Sequence, residues 1–310
     1  MQDILFPFGL IILAGVAFRY IRPAGVEAGV MSTAINAGVL NLFLPALCVK
    51  TICQSTIDLD AVLVPATAWI TTLVSLLLAA GTYSLLSKKI RLTPKEKGVI
   101  LLAAAFGNVT YLGLPVLAGL FGGTAAKYAL YYDLLATTPL LWLVGANLAA
   151  RYGGGGKYGL LEALKTIVSL PPVVGIFAGM ALNLTGTPLP ALVLRTLDML
   201  GGLVVPLMIF SIGLALRVPR VANAYAVIPA VIIKLAVSPC ISFLTASALG
   251  LSGTPLGAVT LESAMPSMVL TLLVADRYKL DISLGAFIIV VTTILSFFTL
   301  PAVLYMTGPR

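Results

Sequence analysis

Two apolar stretches of this chain are broken by residues that can do chemistry. The first, LLAAAFGNVTYLGLPVLAGLFG, spans 101–122 and holds Gly107, Asn108, Thr110, Gly113 and Pro115. The second, GAVTLESAMPSMVLTLLVA, spans 257–275 and holds Glu262, Ser263, Pro266 and Ser267. Glycine loosens a helix and proline removes a backbone donor, so both stretches read as interrupted helices. A half-helix that starts after a break presents free N–H groups and the positive end of its dipole, which suit a carboxylate. One that ends at a break presents free carbonyls, which suit Na⁺ or a proton-carrying group. Asn108 is costly against lipid and belongs in a polar interior. Glu262 is the only acid in either stretch and sits one helical turn before Pro266. It can carry a proton or, beside carbonyls and Asn108, hold Na⁺. A kinked span without a ligand is the competing reading, but a kink alone does not call for Asn108 or Glu262. The expected contacts to a bound anion are therefore Asn108, Thr110, Gly113, Pro115, Ser263, Pro266 and Ser267. Glu262 and Asn108 are expected to serve a coupling ion or proton.

Such breaks matter only if the surrounding helices lie in a membrane, and composition says that they do. Of the 310 residues 60% are hydrophobic and 10% charged, and the mean hydropathy is +1.09. A soluble domain carries roughly 25% charged residues. The net charge of +8 comes from basic residues between apolar runs, which reads as membrane topology rather than nucleic-acid binding. There is no histidine, which removes His-ligated metal sites and His-assisted nucleophiles. Cys48, Cys53 and Cys240 lie in apolar runs without a CxxC pair and read as packing residues. No cofactor is expected beyond Na⁺ or H⁺ as coupling ion, and no metal site beyond Na⁺ at Glu262.

The apolar runs give ten expected spans: 4–20, 29–53, 61–87, 98–121, 127–150, 163–184, 191–216, 222–250, 255–275 and 282–306. Fourteen of the 19 lysines and arginines fall in or beside the loops after the odd-numbered spans. Among them are Arg19, Lys88, Lys89, Lys157, Arg217, Arg220 and Arg277. The positive-inside rule puts those loops in the cytoplasm and both termini outside. No basic residue precedes the first apolar stretch, so it reads as a span and not a cleaved signal.

The chain also repeats itself. ILAGVAF at 12–18 matches IFAGMAL at 176–182, an offset of 164. Pro45 matches Pro206, and Pro94 matches Pro255, each at an offset of 161. Each copy holds five spans, an odd number, so the second copy enters from the opposite side. The expected organisation is an all-α polytopic membrane protein of two inverted five-helix repeats, 1–150 and 160–310. The Gly-rich segment 151–159 reads as a cytoplasmic linker between them.

With these segments in view, the sequence resembles the auxin efflux carrier family and its prokaryotic members. FGNVTYLGLPVLAGLFG (106–122), FLPALCVKTI (43–52), VPLMIFSIGLAL (205–216) and ESAMPSMVLTLLVADRYKLD (262–281) carry the resemblance, which runs through the chain in order. It implies ten helices of the bile-acid/sodium symporter type, with broken helices 4 and 9 crossing mid-membrane at Pro115 and Pro266. It implies a crossover asparagine at Asn108, a lysine near the end of helix 2 at Lys50, and a cavity-lining helix 2 that makes Asn41 a substrate contact. Asn41 also reads as a residue that repairs the kink at Pro45. Lys50 and Asp133 form an expected support site, with a structural ion pair as the alternative for Asp133. Lys234 reads as a structural charge that pairs or snorkels. The function implied is secondary transport of a small organic anion by alternating access, with auxin one carboxylate among several. The alternative is a sodium-coupled symporter. Expected partners are that anion, the lipid bilayer of the cell membrane and, as an option, a second copy in a homodimer. Nothing resembling a nucleotide-binding loop or a catalytic constellation is present, so neither ATP-driven transport nor an enzyme is expected.

Overall fold

The computed structural model describes residues 2–86, 90–154, 158–215 and 224–307, with side chains from residue 6 onward. Lys88, Lys89, Lys157, Arg217, Arg220, Arg310 and residues 155–157 of the Gly-rich linker lie outside the described residues. The described chain is helical, with no strand beyond one isolated bridge. In chain order the helices are α1 Gln2–Ile21, α2 Ala28–Cys53, α3 Asp60–Leu86, α4 Pro94–Ala105, α5 Val109–Phe121, α6 Gly123–Gly153 and α7 Leu160–Ser169. They continue with α8 Pro171–Leu184, α9 Ala191–Ala215, α10 Ala224–Ala248, α11 Gly253–Ser263, α12 Thr271–Arg277 and α13 Ile282–Thr307. Among the described residues six helices (α2, α3, α6, α9, α10 and α13) are long and apolar enough to cross a membrane. The pair α7–α8, bent by 66°, passes the same test only when its two helices are taken together as one span. The chain is thus a polytopic membrane protein. The expected spans 98–121 and 255–275 are each split into two shorter helices, so length alone does not qualify them.

Local chemistry explains several boundaries. Thr93 and Glu96 form a reciprocal capping box at the start of α4, with Pro94 in its first turn. Widened, π-type turns occur at Leu141–Gly145, which precedes no proline, and at four places with a common feature, Val39–Phe43, Val109–Gly113, Asp133–Thr137 and Ile233–Val237. Each of the four ends two residues before a proline: Pro45, Pro115, Pro139 and Pro239. A proline lacks an N–H and its ring crowds the carbonyl one turn back, and an extra residue in that turn relieves both.

The chain divides into two compact units that do not follow the sequence halves. The first comprises Met1–Leu59, Thr110–Leu130 and Val168–Leu216; the second comprises Asp60–Val109, Tyr131–Ile167 and Arg217–Arg310. Each draws on both halves of the sequence. In the first unit α1 packs on α9 and α8 on α2. Glycines allow the close approach: a Cβ on Gly213 would run into the Ile12 carbonyl, and one on Gly179 would stand 2.9 Å from the Ile52 Cβ. In the second unit α4 is the core helix, buried from Gly98 through Ala105. The Tyr83 hydroxyl of α3 donates to the Ala226 carbonyl at 2.6 Å and accepts from the Ala230 N–H at 3.1 Å, which fixes the start of α10 beside it.

Candidate substrate and coupling site

In the second unit the two broken stretches meet. α4 ends at Ala105 and Phe106 turns extended (φ −93°, ψ 122°). α11 ends at Ser263. Gly107 and Ser267 then form an antiparallel bridge. The Asn108 N–H donates to the Pro266 carbonyl at 2.7 Å, and the Met268 N–H donates to the Phe106 carbonyl at 2.9 Å. This short pairing satisfies groups that neither helix can satisfy alone, which is how irregular backbone survives away from water. The resemblance placed the crossing at Pro115 and Pro266. Pro266 does flank it, but Pro115 lies in the first turn of a helix segment starting at Leu114, about two turns further on. Gly107 occupies the crossing point because the Lys234 side chain closes on it: a Cβ there would lie 3.1 Å from Nζ and from Cε.

The side chains around the bridge divide into those already committed and one that is open. The Ser267 hydroxyl donates to the Ala103 carbonyl at 2.7 Å, capping α4. The Ser263 hydroxyl donates to the Thr260 carbonyl at 2.7 Å within α11. Asn108 is 3% exposed, and beyond its backbone its side-chain amide makes no hydrogen bond among the described residues. Thr110, Gly113 and Pro115 follow on α5, in the first unit, and all three are buried. Asn41 lies in the first unit in the widened turn of α2, exposed, with its amide on the Ala37 carbonyl at 2.8 Å.

Glu262 is fully buried, and neither carboxylate oxygen has a hydrogen-bond partner among the described residues. Asp133, Lys234 and the phenol of Tyr132 lie within its electrostatic reach. Asp133 is itself buried and accepts from the Thr138 hydroxyl at 2.8 Å. Lys234 is buried too, with Nζ donating to the Ser263 carbonyl at 2.7 Å. Among the described residues no three His, Cys, Asp or Glu side chains gather as a metal cluster.

The first unit holds a cavity of about 630 Å³. Its lining includes Lys50, Thr56, Lys127 and Asp198. Lys50 is ion-paired with Asp198. Lys127 is 6% exposed. Its Nζ donates to the Thr56 carbonyl at 3.1 Å and lies 3.5 Å from Asp58. The signal for it was available: a lysine opening an apolar helix close behind a Gly-Gly-Thr turn.

Residues 31–169 and 160–304 match a family model described as membrane transport protein. The chain is 29% identical to an uncharacterised transporter of Methanothermobacter thermautotrophicus over 94% of its own length and 93% of that protein's. It is 31% identical to an uncharacterised transporter of Methanocaldococcus jannaschii, over 68% and 69% respectively. It is also 27% identical to a protein of Rhizobium meliloti provisionally named a malonate transporter, over 96% and 93%. A paired break inside a bundle of apolar helices, and a family match that runs through most of the chain, identify it as a transporter and not an enzyme, a member of the membrane transport protein family that includes the auxin efflux carriers.

Proposed function

We propose that this chain is a secondary transporter that moves a small organic anion, a carboxylate of the malonate type, by alternating access at the crossing of its two broken helices. The observation that carries the reading is Asn108: a residue 3% exposed at the bridge between the broken stretches, just before the helical segment that begins at Val109, whose side-chain amide makes no hydrogen bond among the described residues. Such a position offers an anion both an amide donor and the positive end of a helix. The name of the Rhizobium relative supports a carboxylate, and the lysines of the first unit's cavity would gather anions.

The architecture behind this reading is ten spans in two inverted five-helix repeats, with both termini outside the cell membrane. Its support is that related contacts recur. Gly15 lies against Gly213, and Gly179 lies against Ile52. Gly15 and Gly179 are 164 residues apart, and Ile52 and Gly213 are 161 apart, the same offsets as the sequence repeat.

Thermal unfolding of the purified protein tests the substrate class. A short dicarboxylate such as malonate should raise Tm in a saturable way, and chloride at equal ionic strength should not. A flat response across dicarboxylates, monocarboxylates and auxin-like aromatic acids would exclude the carboxylate reading.

A further inference from the structure

Lys234 does something that ion pairing or snorkelling does not describe. It sits in the widened turn Ile233–Val237 of α10 and is 2% exposed. Its ammonium donates to the carbonyl of Ser263, the last residue of α11. On its other side it lies against the crossing point at Gly107. The end of a helix at membrane depth is a negative pole with carbonyls to satisfy. The Glu262 carboxylate stands nearby, with Asp133 within its own electrostatic reach, and Glu262 has no hydrogen-bond donor among the described residues. In carriers built from interrupted helices, positions of this kind hold a mobile cation.

We propose that the Lys234 ammonium is a tethered cation that occupies this position permanently, so that the crossover works without Na⁺ and contains a latent Na⁺ site exposed by removing the side chain. Three features fit a cation position rather than a packing contact. The ammonium is 2.7 Å from a helix-terminal carbonyl. The neighbouring position is a glycine, without which the ammonium would be crowded. The groups left behind on truncation are the Ser263 carbonyl oxygen and the Glu262 carboxylate, which are hard oxygen ligands suited to Na⁺. Lysine is also the residue for such a task, since its charge is compact and its stem fits among apolar neighbours. This inference deepens the transporter reading and rests on it for its meaning in transport.

The test uses the full-length purified protein and needs no substrate, so its failure and that of the carboxylate reading are told apart. Tm is measured in sodium chloride and in choline chloride for the parental protein, Lys234→Ala and Lys234→Arg. The parental and Arg proteins should show the same Tm in both salts. Lys234→Ala should unfold earlier in choline and recover by about 3 °C or more as Na⁺ saturates the site. The double variant Lys234→Ala/Glu262→Gln should lose that recovery. A Lys234→Ala protein indifferent to Na⁺ would overturn the proposal. Should no variant be purifiable, saturable binding of radioactive sodium by the parental protein would overturn it just as directly, and its absence would uphold it.

Discussion

Glu262→Gln should still bind substrate but lose all response of uptake to a pH gradient. Glu262 is a fully buried carboxylate with no hydrogen-bond partner among the described residues, one turn before the break at Pro266. Counted with Asp133 and Lys234, the cluster holds two acids and one base. A buried cluster of that composition reaches neutrality by taking up one positive charge, and with Lys234 already in place a proton is the simplest one. The Gln side chain keeps the shape and the polarity but cannot gain or lose that proton. In parental proteoliposomes, acidifying the outside should drive substrate inward; each pH unit is worth about 1.4 kcal/mol per proton, close to tenfold accumulation. In Glu262→Gln the accumulation should fall to the level set without a gradient, while the malonate-induced rise in Tm persists. If the variant keeps the parental gradient response, Glu262 is structural, and the carrier runs on the anion's own gradient and the membrane potential.

The second large effect is on folding. Gly213→Ala should cost roughly 3 kcal/mol or more, although it adds one methyl group. That methyl would be driven into the main-chain carbonyl of Ile12 and towards the Cα of Gly15. Backbone cannot turn aside as a side chain can, so α1 and α9 would have to separate along their shared seam. Gly81→Ala is the matched control, since nothing lies within 4 Å of a Cβ built there. It should be neutral or mildly stabilising, as replacing a glycine in a helix usually is. The check is the yield of monodisperse protein and Tm in detergent. Equal behaviour of the two variants would mean that the α1–α9 contact is not tight in the native protein.

Much of this arrangement was legible from residues alone. Apolar runs located the helices to within a few residues because lipid demands their length. Both interruptions could be found because Pro266 and the Gly107–Asn108 pair have no place in an undisturbed span. What the runs did not show is which break residue sits at the crossing. Pro115 was the natural choice, yet its missing N–H is absorbed by the widened turn Val109–Gly113 instead of by a break. The same device explains a wider pattern. Asn41, Thr110, Asp133 and Lys234 each stand four to six residues before a proline and inside a widened turn. A polar residue so placed is a readable mark of such a turn. The partners of Lys50 and Lys234 were not legible, because they depend on residues 148 and 29 positions away. Nor could composition separate Ser267, which caps α4, from Asn108, whose amide stays open.

The central claim is that an anion is carried at the crossing, and counterflow of labelled malonate in proteoliposomes tests it most directly. Vesicles loaded with unlabelled malonate should take up label transiently when they contain the parental protein, and unlabelled dicarboxylate outside should compete. Asn108→Ala, folded and monodisperse, should reduce that counterflow to the level of empty vesicles, because it removes the one open side-chain amide at the bridge. The loss of a hydrogen bond to a charged ligand at a buried site is worth about 1.5–3 kcal/mol, or more than tenfold in affinity. Counterflow by Asn108→Ala at the parental rate would contradict the account, since the anion would then be carried somewhere other than the crossing.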